Sequence, residues 1–464
     1  MRPRSLGEVA RDLGASLAGP GVDGSTLVRG AVTDSRAVRE GGGELFFALR
    51  GRTDGADFAG EAHLRGAVAT VAPRPLSVPT LVVEAPLEAL QELARRELDR
   101  EDAPRVVGIT GSVGKTTTKD ALEAILRSAG KRVSATEGNF NNEIGLPLTV
   151  LATDERTEVL VLEMGATHAG DISHLCGIAP PGVGVLTAVS PVHLDSFGDL
   201  ESLARAKGEL AHALPDGGVL VAPSGAPESA TGPGRASLRR LVFGESAGLR
   251  ASGVEELEDG LSFTVHHGGE TAGVRSPVFG THLVEPLLAA IGGGLALGLG
   301  LEECARGLSR LRRAGLRGEV YRLRDDILVY DDSYNASPAA TMAVLRYGAG
   351  QARRGGVDGQ TSGRRMVAVL GGMFELGSAA REYHREVGRL AGELGVDLLV
   401  CVGDEARWYA EEFGGEAIFY GDAASAGEDL GGLLKAGDYV VVKGSRGVGL
   451  DAVTGRLRES LTLV

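Results

Sequence analysis

The sequence is short of several things, and each scarcity closes off a class of protein. It has three cysteines, Cys176, Cys304 and Cys401, odd in number and far apart. They offer neither a disulfide framework nor a metal-binding spacing, and they fit buried thiols in a reducing cytoplasm. Basic residues fall so far behind acidic ones that the net charge is −14, which argues against nucleic acid or an anionic membrane as a partner. Long apolar runs are scarce too. LVEPLLAAIGGGLALGLGL at 283–301 is apolar enough to test as a membrane span, but Glu285, Pro286 and three consecutive glycines mark it as a buried helix. The opening MRPRSLGEVARDLGASL lacks the continuous apolar core of a secretory leader and reads as a small amphipathic helix. Lysine is scarce among the basic residues: only positions 115, 119, 131, 207, 435 and 443 carry it, and the other 42 of 48 basic residues are arginine. A lysine kept in such a chain suggests chemistry closed to a guanidinium, which stays protonated. Lys207, in LARAKGELAHAL, raises that question most sharply, whereas Lys119, Lys131 and Lys435 read as surface residues.

What is present describes a globular α/β protein. A chain of 464 residues is too long for one core and suggests three domains. Its 71 glycines are dispersed without a period, as expected of many tight loops. Residues 1–103 alternate short helical and β-like runs and end in the helical LEALQELARRELDREDAP. From 104 to 315, RVVGIT, EVLVLEM, GVGVLTAV and GVLVAP alternate with helices, the pattern of a mostly parallel sheet of P-loop type. That block carries a surface loop at 223–237 and closes with the helix-rich 285–311. A second βαβ series, Rossmann-like, fills 316–464 through EVYRL, ILVYDDS, MVAVLGG, LLVCVG and YVVVKGS, and the Gly/Arg-rich stretch 350–365 reads as a mobile loop.

The strand RVVGIT runs into GSVGKTTTK and then a helix. Glycines there let backbone N–H groups turn inward around phosphate oxygens at the positive end of the helix. Gly111, Ser112, Val113, Gly114, Lys115, Thr116 and Thr117 make up this loop. Lys115 would reach the outer phosphates and Thr116 would offer a hydroxyl to Mg²⁺. Gly111 stands two residues before Gly114-Lys115, so the spacing is a variant of the usual loop. ATP is the expected nucleotide.

The longer phrase GITGSVGKTTTK resembles the ATP loop of the Mur ligases, which build the bacterial cell-wall precursor. Further phrases agree in order along nearly the whole chain: TEGNFNNEIGLPLTVL, VLEMGATHAGDI, SPVHLDSFG, ARAKGEL, VYDDSYNASPAATM, VLGGMFELG with HREVG, and VVVKGSRGVGLDAV. TDSRAVREGGGELFFALRGRTDGADF is similar to the UDP-sugar-binding start of these enzymes. DSYNASP, FELG…HREVG and KGSR are most like the branch that adds D-alanyl-D-alanine to UDP-N-acetylmuramoyl-tripeptide, and the DNPR motif of the preceding ligase is absent. The resemblance implies a cytoplasmic, monomeric ATP-dependent amide ligase that does not insert in a membrane. Residues 1–103 would bind the UDP-muramyl substrate, 104–315 would bind ATP, and 316–464 would close on ATP and take the dipeptide. A related ligase with another amino-acid acceptor and an inactive nucleotide-binding scaffold are the alternatives. Whether the tripeptide ends in diaminopimelate or lysine stays open.

The resemblance also implies roles residue by residue. Glu163 would bind Mg²⁺ with Thr116, and His193 would serve a second metal. Lys207 would be a carbamate, formed from CO₂ and acting as an anionic ligand; the competing reading pairs it with Glu201 or Glu209 on a helix surface. Lys115, Glu163, His193 and Lys207 are thus the catalytic candidates. His282, Arg317 and Asp332 would join the phosphate loop around ATP. Ser35, Arg36, Asp54, Gly55 and Phe58 would contact the uridine diphosphate. Asn139, Asn141 and Asn142 would place amides near the phosphates or tripeptide, with Asx turns as the competing account. Tyr334, Asn335, Lys443, Ser445 and Arg446 would hold the dipeptide. The chain departs from the family where Leu283 and Pro286 replace the asparagines of HNxxN, where LGDM has become Leu370-Gly371-Gly372-Met373, and where Glu44 stands for an aspartate. The first departure puts adenine recognition in question more than the reaction.

Overall fold

The structure is a computed structural model that describes residues 1–192, 194–257, 259–312, 315–354 and 363–461. Its first sheet has five strands in the order Ser16–Ala18, Thr80–Val82, Ala69–Ala72, Glu44–Phe47 and Gly30–Val32. All pairs are parallel except the antiparallel Ser16–Ala18 edge. The opening helix Leu6–Asp12 starts at a capping box, Ser5 with Glu8, which satisfies backbone donors at both residues. The helix Pro86–Leu98 begins on its proline, buries Leu90, Leu93 and Ala94, and packs against the helix Gly145–Leu151. One apolar cluster therefore runs from Leu45, Phe47 and Leu81 of the first sheet to Leu160 and Leu162 of the second.

The second sheet holds six parallel strands in the order Arg239–Phe243, Val219–Pro223, Val183–Leu186, Arg105–Thr110, Val159–Glu163 and Val133–Ala135. Its strands are near-continuous apolar runs because helices cover both faces. Val107, Ile109, Val161, Val185 and Val221 face the helices Lys115–Ser128 and Val284–Ala296. Alternate residues such as Leu160 and Leu162 share the other side with Leu203 and Leu210 of the helix Leu200–Ala213. The apolar stretch at 283–301 is the buried helix expected, and no helix among the described residues is long and apolar enough to cross a membrane.

The third sheet runs Glu319–Arg322, Leu328–Asp331, Tyr439–Lys443, Met366–Gly371, Leu398–Val402 and Ala417–Tyr420, antiparallel only at its first pair. The three cysteines are buried free thiols, as expected, and burial pushes each up to about 12.

Several readings need correction. A three-stranded antiparallel meander, Arg250–Leu257, Gly260–His267 and Glu270–Ser276, packs onto the second core and was not anticipated. Leu261, Phe263 and Val265 alternate as a half-buried strand should, but the polar, exposed first strand hides the pattern. The short half-exposed edge strand Ala417–Tyr420 was also missed. Residues 350–354, expected to be loop, complete the helix Pro338–Arg354, and 355–362 lie outside the described residues. The stretch at 223–237 holds a 3-10 turn, Glu228–Thr231, that packs on Leu200–Ala213 and buries Ala230. Lys119 is not a surface residue: it is 7 % exposed and ion-pairs with Asp120.

Candidate active site

Arg105–Thr110 lies at the centre of the second sheet, with later strands placed on both sides of it, so the crevice beyond its carboxyl end is where such sheets bind ligands. The phosphate loop leaves this strand. Gly111 (φ 147°) and Gly114 (φ 84°) take left-handed conformations that favour glycine, and a Cβ on Gly111 would overlap the Thr187 hydroxyl. The loop is pinned by Ser112 N–H donating to the Ala188 carbonyl at 2.8 Å and by Ser190 N–H donating to Ser112 Oγ at 3.0 Å. Lys115 heads the helix Lys115–Ser128 and donates to the Gly111 carbonyl at 2.8 Å. Burial lowers its pKa against the pull of Glu163, and Arg317 adds to the lowering.

Glu163 ends its strand 4 % exposed rather than solvated. Thr116 Oγ1 donates to its Oε2 at 2.8 Å and Asn141 Nδ2 to its Oε1 at 2.9 Å. A carboxylate and a hydroxyl meeting beside a phosphate loop fit a hard cation, which takes oxygen ligands and shares them with phosphate and water. Asn142 is structural as well as cavity-lining, since its Oδ1 accepts the Gly145 N–H at 2.9 Å and starts the helix Gly145–Leu151.

These groups open into a cavity of about 1160 Å³. Its lining takes in Ser112 to Thr117, Asn139, Asn141, Asn142, Glu163 and Lys207 from the middle of the chain. His282, Arg317, Asp332, Tyr334, Asn335, Lys443, Ser445 and Arg446 line it as well. Gly111 does not join the lining. His193 lies outside the described residues. Ser35, Arg36, Asp54, Gly55 and Phe58 do not join this lining. They sit on the first segment, where Asp34 and Asp54 cap short turns and Ser35 Oγ donates to Glu61 at 3.1 Å.

Lys207 is 2 % exposed, with Nζ 5.9 Å from the Phe197 ring centroid. The surface-pair reading fails: Glu201 pairs with Arg205 at 3.4 Å, and Glu209 accepts N–H bonds from Gly170 and Ser173 at 2.7 and 2.9 Å. Lys207 makes no hydrogen bond or ion pair among the described residues. Burial, aided by repulsion from Lys115, lowers its pKa to about 7 against the opposing pull of Asp171 and Glu209.

On the C-terminal side the Arg317 guanidinium stacks 3.8 Å from the Tyr334 ring centroid. Asp332 and Lys443, assigned to different substrates by sequence, form an ion pair with each other, and Lys443 also donates to the Asn335 carbonyl at 2.9 Å. Burial drives His282 down to about 4, so the ring is neutral, and its buried Nδ1 has no hydrogen-bond partner among the described residues. Leu283 and Pro286 form an apolar wall beside Gly114. The sequence reading gave no role to Glu88, Gln91, Asp171, His174, Phe374 or Glu375, which also line the cavity. Four of these stand in or beside quoted phrases (MGATHAGDI, FELG), so position in a motif was the available signal.

Residues 109–294 match the Mur ligase middle domain, and 316–446 match the domain described as Mur ligase, glutamate ligase domain. The chain is 34% identical to the UDP-N-acetylmuramoyl-tripeptide–D-alanyl-D-alanine ligase of Bacillus subtilis, over 99% of both chains. It is 36% identical to the ligase of the same name from Mycobacterium bovis, over 91% of each. Among solved structures, MurF from Acinetobacter baumannii superposes with a TM-score of 0.87 at 27% identity, covering 99% of this chain and 100% of that one. MurF ligase from Thermotoga maritima in complex with ADP gives 0.79 at 31% identity, covering 93% and 97%.

The geometry makes Lys115 the first residue to test. Lys115→Met should weaken binding of a fluorescent ATP analogue by at least about tenfold, the loss of one charge-assisted contact to phosphate. Unchanged affinity would contradict the placement of phosphate in this loop.

Proposed function

The chain belongs to the Mur ligase family, and on that premise we propose that it is the ATP-dependent amide ligase that joins D-alanyl-D-alanine to UDP-N-acetylmuramoyl-tripeptide. The observation that carries the reading is that one cavity gathers the phosphate loop, Glu163, Lys207 and the cationic groups of the C-terminal segment. In this chemistry a carboxylate oxygen of the tripeptide attacks the γ-phosphorus of ATP, and the bond to ADP breaks. The dipeptide amine then attacks the acyl carbon, the C–N bond forms as phosphate leaves, and the amine loses a proton to solvent. Both steps crowd negative charge, so positioning and cationic stabilisation matter more than covalent work by the protein.

Lys115 and Arg317 would hold the outer phosphates. His282, neutral and with a buried nitrogen that has no hydrogen-bond partner among the described residues, would offer the base one polar contact, while Leu283 and Pro286 pack its faces in place of the family's amides. Asn335, Ser445 and Arg446 would take the dipeptide with Lys443, whose pairing to Asp332 fixes both side chains. Tyr334, under Arg317, would border both substrates. Asn139, Asn141 and Asn142 would face the tripeptide, and Ser35, Arg36, Asp54, Gly55 and Phe58 would meet the uridine diphosphate. Segments 1–103, 104–315 and 316–464 are the units for the UDP substrate, ATP and dipeptide. A monomeric, cytoplasmic enzyme is part of the same proposal.

Glu163 and Thr116 would hold Mg²⁺, which when bound neutralises phosphate charge. A second ion would draw on His193 and Lys207. Lys207 suits that role only as an anion, because an ammonium beside a cation weakens its binding. The unprotonated amine would add to CO₂, forming an N–C bond and releasing a proton to water. Burial without a hydrogen bond or ion pair among the described residues supports this, since it favours the neutral amine.

Two outcomes are expected. Phosphate release should require both the tripeptide substrate and D-alanyl-D-alanine, and should fall to background when single amino acids replace the dipeptide; release that ignores the acceptor would contradict the reading. Isotopically labelled CO₂ should give one carbamate carbon signal by NMR that Lys207→Ala removes, and a signal surviving that substitution would rule out this lysine.

A further inference from the structure

The phrase HREVG supplies His384, which is 0 % exposed. Both ring nitrogens are engaged. Nδ1 lies 2.6 Å from the Ala380 carbonyl, so it carries the proton and donates, and Nε2 accepts the Met373 N–H at 2.9 Å. The ring is thus neutral and in one tautomer. Trp408 meets it edge-on at 5.4 Å and Tyr409 packs at 4.7 Å.

The Nε2 bond holds one short segment that other groups also suspend. Tyr409 Oη donates to the Gly371 carbonyl at 3.0 Å, and Ser445 N–H donates to the Gly372 carbonyl at 3.1 Å. Phe374 N–H donates in turn to Ser445 Oγ at 2.9 Å. Beyond this suspension the backbone turns left-handed at Glu375, φ 65°. A residue with a side chain keeps that conformation only where its surroundings over-determine it, and such residues cluster at functional sites. The side chains so displayed, Phe374, Glu375 and Leu376, line the cavity, and Phe374 is 41 % exposed. Its ring also stands against Gly447, where a Cβ would come within 2.8 Å of it.

We propose that Gly372–Leu376 is a specificity wall for the incoming dipeptide and that His384 is the positioning residue that holds it. The inference rests on the ligase reading. The wall belongs to the C-terminal segment and is bonded to Ser445, next to the Lys443–Arg446 groups suited to a small zwitterion. Phe374 offers an apolar face to short side chains, and Glu375 brings negative charge to the side on which an ammonium arrives. The hydrogen bonds that hold the segment run to His384, Tyr409 and Ser445, so it should select the acceptor without altering nucleotide binding.

Steady-state kinetics on the full chain, varying ATP, tripeptide substrate and D-alanyl-D-alanine in turn, tests this. His384→Ala should raise KM for the dipeptide about tenfold and leave KM for ATP within about twofold. His384→Gln, whose amide can accept from Met373 and donate to Ala380, should recover most of the loss. Phe374→Ala, at an exposed side chain that leaves the core intact, should raise the dipeptide KM alone by a similar factor. Equal changes in all three KM values, or no change in Phe374→Ala, would overturn the wall. An inactive wild type would instead sink the ligase reading, and this inference with it.

Discussion

Everything in the cavity answers to one electrostatic constraint. A carboxylate and a triphosphate must be drawn together out of water, so positive groups have to converge, and converging positive groups repel. The effect is visible in the lysines: Lys115 helps lower the pKa of Lys207, and Arg317 helps lower that of Lys115. Most of the cations are steadied by a partner of their own. Lys115 is held by loop carbonyls, Arg317 by the face of Tyr334, and Lys443 by Asp332. Lys207 alone among these has no hydrogen bond or ion pair among the described residues, although it is the most deeply enclosed by exposure. A buried ammonium without a partner is costly, and an uncharged or anionic form of the same side chain removes that cost.

The fold meets the constraint by building the cavity where sheet ends converge. The central strand Arg105–Thr110 delivers the phosphate loop, its neighbour Val159–Glu163 delivers the carboxylate, and Tyr439–Lys443 delivers Lys443 from the third sheet. Each of these three groups thus stands at the carboxyl end of a strand fixed by its ladder and by apolar packing on both faces. The first sheet is tied into the same body by the helix Pro86–Leu98, whose Gln91 donates to the Glu143 carbonyl at 3.0 Å beside the asparagine loop. Positioning is therefore a property of packed elements, with loops carrying only the last few residues of each group.

The sequence was most legible where local chemistry dictates structure. Gly111, Gly114 and Lys115 announce a phosphate loop because few other arrangements need that pattern, and the short apolar runs before Gly111 and at Glu163 read as buried parallel strands. Resemblance supplied roles for Lys207 and Arg317 that spacing alone could not. What escaped was set by tertiary packing. The exposed first strand of the meander, Arg250–Leu257, carries too many charges to signal a strand. Lys119 looked like a surface lysine because burial of one helix face beside Asp120 depends on elements distant in sequence. The pairing of Asp332 with Lys443 joins residues 111 apart and has no local trace.

The central claim is that the enclosed lysine works as an anion formed from a neutral amine, and substitution at Lys207 tests it most directly. With phosphate release measured in the presence of both substrates, Lys207→Ala should be inactive and partly rescued by short carboxylates such as acetate. Lys207→Arg, which stays protonated, should be inactive with or without them. Full activity in Lys207→Arg would contradict the account, because a permanent cation would then serve where an anion is required.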